Sequence, residues 1–501
     1  MTSRSRSNSV DVSALLVVLT PSSVTKHQQA DLEKVHLNAD AHPDLRQETV
    51  ALLQLAFPII ATLALEFLPG AFSVAIVGHI DSPLRKEYVD AATLSTMFLN
   101  ISGLSIGCGL STAMDTLCSQ TVGAGKLYNL GMYFQSGLIV LGSMFLPSLI
   151  LNYHAEYFLL ALHQDPVVAA LAGTYSRVSV WCLPGFFLYE LLKKVLQAQN
   201  IVHPMAYIAI VSNVVYGLLG YYMCYYTELS FLGAAYARTI SNTLLPVFAL
   251  IYLTWNPVYK VWWPADHSVS SQWKAALAHV PEFFTLGIPG MLMMLMEWWA
   301  FEVCAVMAGW MEDPVLAISV QSVLMSLSAQ AYSLFLGLSI ATTVRLGNAL
   351  GANEPHRAEL ISRVALGVAL VAGAFVSLVF LVTHEYLPLI FISDPASIEA
   401  TQHALAMFVV FELIDCMSCA AQSLLKGMGK QAIGAWVNAA AYYLFGIPIG
   451  ALLAFQYGFG VEGLWVGLAL GLFGGFCVYL WFICRVNWKQ MADDAAVRTS
   501  T

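Results

Sequence analysis

Five acidic residues lie inside long apolar stretches, where an ionised side chain has no water to stabilise it: Glu66, Glu297, Glu302, Glu412 and Asp415. A charge at the centre of a bilayer costs about 2.5–3.5 kcal/mol on insertion scales, so such residues face a cavity and carry a task, or are held by neighbouring helices. Burial disfavours the charged form of a carboxyl. A group so placed holds either a proton or a cationic ligand, and holding both is unfavourable. That competition is the simplest physical basis for exchanging protons for cations. Asp115 lies nearer the end of its stretch.

The spacing of the acids limits how they can act together. Glu297 and Glu302 are five residues apart, about 140° around a helix, and cannot both point at one ligand. Glu412 and Asp415 are three apart and share a face. Trp298, Trp299 and Phe301 flank the first pair, and an indole face attracts an organic cation by about 0.5–2 kcal/mol. Packing in a core or against lipid is the alternative use of each ring. Asn100 is a further polar candidate within an apolar stretch. Its Asn-Ile-Ser sequon is unusable there.

The elements that must position these side chains are membrane helices. The chain has 501 residues, 58% of them hydrophobic and 11% charged, with mean hydropathy +0.70. A soluble protein carries about 25% charged residues. Runs of about 20 apolar residues, the length that crosses a bilayer, recur near 50–78, 91–118, 130–153, 167–190, 204–226, 231–254, 283–309, 315–340, 360–382, 401–424, 433–456 and 462–484. The runs are continuous, not alternating, which favours helices over a barrel. Asp81-Ser-Pro83, Asp165-Pro166, Asp313-Pro314 and Asp394-Pro395 punctuate them.

Basic residues set an orientation for twelve spans. Eighteen of the 22 Lys and Arg fall on the side that holds the N-terminal tail, including Lys193, Lys194 and Lys426, against Arg85 and Lys86 opposite. Arg177 and Arg238 lie in or near spans. The positive-inside rule then places both termini in the cytoplasm. The polar, Ser-rich residues 1–46 read as a disordered cytoplasmic tail, since Ala14–Leu19 is too short for a signal-peptide core.

The two halves repeat. Pro58 and Glu66 match Pro289 and Glu297, Gly123-Ala124 matches Gly351-Ala352, and Gly233 matches Gly463, all at offsets near 230. Six spans per repeat give both halves the same orientation. The expected fold is an all-α polytopic membrane protein with 12 transmembrane helices in two six-helix bundles, related by a pseudo-two-fold along the membrane normal, with a site between them. The expected parts are an N-terminal lobe at 47–254, a cytoplasmic linker at 255–282, a C-terminal lobe at 283–485 and a cytoplasmic tail at 486–501. Gly463, Gly467, Gly471 and Gly475 form a close-packing face in the last span.

Other classes find little support. Net charge is −9 without a basic cluster, which argues against nucleic acid. The nine cysteines form no disulfide framework, and Cys416-x-x-Cys419 lacks further thiol or His ligands, so no metal site is expected. The glycines Gly103, Gly107 and Gly109 follow no strand and are no dinucleotide loop. Neither HExxH nor another catalytic motif is present, so an intramembrane enzyme is disfavoured.

Four motifs carry a resemblance. Met114–Ala124, Thr343–Ala352, Lys426–Gln431 with Gly434–Asn438 and Tyr442-Tyr443, and Glu297-Trp-Trp-Ala-Phe-Glu302 occur in order between residues 47 and 490. They resemble the signatures of the multidrug and toxic compound extrusion (MATE) family, the last being similar to that of animal-type members. The resemblance implies export of organic cations and xenobiotics in exchange for protons by alternating access, with a lipid or glycolipid flippase as the alternative. It implies Glu302 and Asp415 as essential acids with Glu297 and Trp298 beside them. The expected proton-coupling residues are therefore Glu302, Asp415 and Glu297, and the expected substrate-binding residues are Trp298, Glu302, Asn100 and Asp415. No cofactor is expected beyond the proton gradient, with Na⁺ the other coupling ion. The expected partners are small organic cations, protons and lipid, for a monomer in the plasma membrane. Two departures from the family are Phe335, where many members have a proline two residues before Gly337, and the lack of an acid at 315–340.

Overall fold

The computed structural model describes residues 43–263 and 269–500, and these are helical almost throughout. The principal helices are α1 (Leu45–Val77), α2 (Arg85–Gly123), α3 (Asn129–Tyr153), α4 (Pro166–Ser179), α5 (Cys182–Ala198), α6 (His203–Tyr225) and α7 (Leu232–Trp255). The second half contributes α8 (Val269–Ala308), α9 (Pro314–Gly351), α10 (Pro355–Thr383), α11 (Pro395–Met428), α12 (Gln431–Gln456) and α13 (Gly460–Arg485). A last helix, α14, spans Trp488–Thr499. Ten of the described helices are long and apolar enough to cross a membrane. The α4–α5 pair and α7 complete twelve spans, six per half.

The span expected at 167–190 differs most from its sequence reading. It breaks at Val180–Trp181 and then runs on to Ala198. Pro184 explains the break, because its ring collides with the carbonyl four residues earlier, at Val180. The extension carries Glu190, Lys193 and Lys194 as buried helical residues. Three of the aspartates before prolines begin helices. The Asp165 carboxylate accepts from Val167 N at 2.8 Å, Asp313 from Leu316 N at 3.1 Å, and Asp394 from Ser397 N at 2.9 Å.

The first 42 residues of the expected N-terminal tail lie outside the described residues. α8 begins at Val269, inside the stretch read as linker, and its first turns pack on α3 through Ser136 Oγ donating to Ala276 O at 2.8 Å. The C-terminal stretch is the docked helix α14, with Met491, Ala492 and Ala495 buried. α9 runs as one uninterrupted helix past buried Phe335.

The glycine face of α13 lets two backbones meet. A Cβ at Gly463 would lie 2.7 Å from Ala454 N, and one at Gly471 would lie 2.7 Å from the Gly446 backbone. The facing helix α12 carries two π-helical stretches, Ala440–Gly446 and Leu452–Gln456.

The two halves meet at the ends that carry the chain termini. There α2 packs on α8, α9 and α11: a Cβ at Gly109 would lie 2.7 Å from Met291, and the Gln120 amide donates to Gly427 O at 2.9 Å. Thr116 Oγ1 donates to Lys426 O at 2.6 Å. Glu48 of α1 pairs with Arg345 and, at 2.7 Å, with Arg357 of the second half. Toward the opposite ends the halves part around open space.

Candidate inter-lobe transport site

The open space consists of two cavities that share the walls Gly70, Thr96, Asn100 and Trp298. The outer one, about 310 Å³, lies between Thr93, Met97 and Asn100 of α2 and Trp298, Trp299 and Glu302 of α8. The inner one, about 350 Å³, is bordered by both halves and bears most of the charge.

Asn100 begins a π-helical turn, Asn100–Leu104, in the middle of α2. The wider turn is served by Ser105 Oγ, which donates to Asn100 O at 2.6 Å. Such bulges re-aim a helix face, and here Asn100 borders both cavities.

The expected site residues separate into two groups. Glu297 of α8 meets Asp415 and Cys419 of α11, and one donor atom from each lies within 4.8 Å of the others. Glu297 and Asp415 are 3% and 2% exposed, and Oε1 of the first and Oδ1 of the second have no hydrogen-bond partner among the described residues. Buried oxygens of this kind are rare because an unmade hydrogen bond costs about 1–3 kcal/mol. Glu412, fully buried on the same helix, also has both carboxylate oxygens unpartnered.

Glu302 is not in that cluster. It is half-buried, about 7.5 Å farther along α8 by helical rise, and lines only the outer cavity. Glu302 and Glu297 therefore line successive cavities, and Asp415 lies behind Glu297, bordering neither. Trp298 borders both cavities. Phe301 turns away, into an aromatic core with its ring centroid 6.0 Å from Phe411 and 5.7 Å from Trp465.

Sequence reasoning missed the basic half of the inner cavity. Lys193 Nζ pairs with Glu66 at 2.9 Å and Glu190 at 2.7 Å, and Lys194 Nζ pairs with Asp115 at 2.7 Å. Both lysines, counted as loop charges on the strength of their position at the end of an apolar run, line the cavity. Lys426 also lines it, with no ion-pair partner among the described residues. Lys193 and Lys194 pair acids of the first half only, and Glu297, Glu302, Glu412 and Asp415 have no ion-pair partner among the described residues. The missed signal is the match of opposite charges in Glu66–Lys193 and Asp115–Lys194. Arg238 borders the cavity and donates to Thr96 Oγ1 at 3.1 Å.

Comparison with known proteins follows the same division into halves. A family model described as MatE matches twice, at residues 58–223 and 289–452. Multidrug and toxin extrusion protein 2 of Mus musculus is 33% identical over 457 residues, covering 91% of this chain and 78% of the relative. Multidrug and toxin extrusion protein 1 of Homo sapiens is 33% identical over 457 residues, with the same coverage. Among solved structures, the eukaryotic MATE transporter AtDTX14 superposes with a TM-score of 0.83 at 28% identity, covering 91% of this chain and 99% of that one. The Vibrio cholerae MATE transporter VcmN in its bent form shares the fold, with a TM-score of 0.76 at 17% identity and coverage of 91% and 99%.

Proposed function

The chain belongs to the multidrug and toxic compound extrusion (MATE) family, and from that premise we propose that it exports organic cations and xenobiotics in exchange for protons. The observation that carries this reading is the pair of orphaned carboxyl oxygens on Glu297 and Asp415, beside a cavity between two lobes. An ionised carboxylate 4 Å from a cation attracts it by about 4 kcal/mol at an effective dielectric of 20, and a protonated one does not. That difference is about three orders of magnitude in affinity, enough to couple the two ions.

The cycle begins with the lobes closed at the terminal ends and parted at the others. Protons from the open side neutralise Glu302 first and then Glu297 and Asp415, and the bound cation leaves past Trp298 and Asn100. The neutral site lets the lobes rock and open toward the cytoplasm, where both termini lie. The protons depart there, the carboxylates regain their charge, and a new cation binds against them and the Trp298 face. Coupling is the difference in cation affinity between the two protonation states. The drive is the proton gradient, without a cofactor, in a monomer at the plasma membrane. A lipid flippase calls for a cavity with net positive charge, whereas the inner cavity is lined by four basic residues, Lys193, Lys194, Arg238 and Lys426, and four acidic ones, Glu66, Asp115, Glu190 and Glu297.

Uptake of tetraethylammonium into proteoliposomes, driven by an imposed pH gradient or an imposed Na⁺ gradient, tests the proposal. Uptake is expected with the pH gradient alone and is expected to be lost in Glu302→Gln. Uptake by Glu302→Gln equal to the parent's contradicts the role of Glu302, and uptake driven only by Na⁺ contradicts proton exchange.

A further inference from the structure

Cys419 follows Asp415 by one helical turn, so both side chains leave α11 on one face, opposite Glu297 of α8. The three donor atoms lie within 4.8 Å of one another, and this is the one such group of three or more His, Cys, Asp or Glu residues among the described residues. Two of its oxygens are buried without a partner, and the hydroxyl of the neighbouring, fully buried Tyr442 also has none. Glu297 and Cys419 reach the wall of the inner cavity, which gives an ion a route in. Cys416 takes no part, since its Sγ lies 3.3 Å from Ala369 O on another side of the helix. The Cys-x-x-Cys spacing is incidental, and the partners of Cys419 come from a different helix.

Protons and organic cations need only the carboxylates. Sulfur adds nothing for them, and hard cations such as Mg²⁺ and Ca²⁺ prefer oxygen. A thiolate with two carboxylates is a donor set for a thiophilic divalent ion, which holds sulfur at about 2.3 Å and carboxylate oxygen at about 2.0–2.2 Å. Tetrahedral ligands at those distances are about 3.3–3.7 Å apart. Rotation of these side chains by about 1 Å closes the site and leaves a fourth position toward the cavity. We propose that Glu297, Asp415 and Cys419 bind a thiophilic divalent cation, Zn²⁺ or Cd²⁺, and that the bound ion blocks exchange by occupying the place of the transported cation. On binding, the thiol proton passes to cavity water and the Sγ lone pair forms the metal bond.

The binding step stands apart from the export reading, whereas the block of exchange rests on it, so the two are measured separately. The full chain carrying Cys477→Ser and Cys484→Ser, which removes the exposed thiols, is titrated with Cd²⁺ alone. The ultraviolet thiolate-to-cadmium charge-transfer band reports binding. One Cd²⁺ per chain is expected, with the band lost in Cys419→Ser and the affinity more than about tenfold weaker in Glu297→Gln. Cys419→Ala replaces Cys419→Ser if the serine variant is recovered poorly. No band in the background protein, or an undiminished band without Cys419, overturns the site. In proteoliposomes, Zn²⁺ is expected to inhibit tetraethylammonium exchange, with a midpoint more than about tenfold higher in Cys419→Ser. Cd²⁺ binding without Zn²⁺ inhibition of an active exchanger overturns the blocking role. Cd²⁺ binding by a protein that exchanges nothing upholds the site and overturns the export reading.

Discussion

Replacing Lys194 by methionine removes a cation from one of the most enclosed ion pairs in the protein. Its amine donates to both oxygens of Asp115, at 2.7 and 3.0 Å, and both side chains are 6% exposed. Methionine preserves the length of the apolar stem, so the loss is electrostatic and not a cavity. Leaving one member of a buried pair uncompensated costs about 3–5 kcal/mol, whereas removing both members together is close to neutral. The expectation is therefore a loss of about 3–5 kcal/mol in Lys194→Met and recovery to within about 1 kcal/mol of the parent in Lys194→Met with Asp115→Asn. Reversible unfolding in mixed detergent micelles, followed by tryptophan fluorescence, supplies the four corners of the cycle. A stable single variant, or a double variant whose loss is the sum of the two singles, refutes the idea that this pair holds the inner cavity together. The neighbouring Glu66–Lys193–Glu190 cluster has one acid more than it has cations. Cutting its lysine exposes two acids to each other, so Lys193→Met is the harsher change.

Further expectations follow from the closed ends of the lobes. A Cβ at Gly351 would overlap the Gln120 backbone of the other lobe, so Gly351→Val forces the terminal ends apart, and the distance between spin labels on α2 and α9 there lengthens. An unchanged distance contradicts the close packing. α14 ties the lobes at the same end, with Arg498 Nη1 donating to Gln120 Oε1 at 2.7 Å and Lys126 Nζ donating to Thr499 O at 2.9 Å. Hydrogen bonds to charged groups contribute about 1.5–3 kcal/mol, so Arg498→Ala shifts the lobes toward the state open at the termini by about tenfold or more, read by the same labels. Asp165→Ala removes the cap of α4 and lowers stability by about 1 kcal/mol in the unfolding assay.

The spans, the repeat and the membrane acids were legible because each is a local or periodic property of the chain. Glu297 and Glu302 are five residues apart, and helix geometry alone assigns them to different surroundings, as found in the inner cluster and the outer cavity. Lys193, Lys194 and Lys426 were not legible. Charge at the end of an apolar run reads as a loop, and only the packing of α5 and α11 against α2, with Glu66 of α1 reaching Lys193, shows that these amines face a cavity with acids waiting for two of them. Cys419 escaped for a related reason, since a motif search looks along one helix and its neighbour Glu297 is supplied by another, 122 positions away in the numbering. The break in the fourth span was readable from Pro184, but the apolar run continues across it and hides it.

The central claim is that protons and organic cation compete for the same carboxylates. Its most direct test is the proton count on binding: tetraethylammonium is added to the purified, weakly buffered protein in detergent, and the pH change is recorded. Release of protons in proportion to cation bound is predicted for the parent, falling in Glu297→Gln and falling further when Asp415→Asn is added. Cation binding with no proton release, or release undiminished in the double variant, contradicts the account.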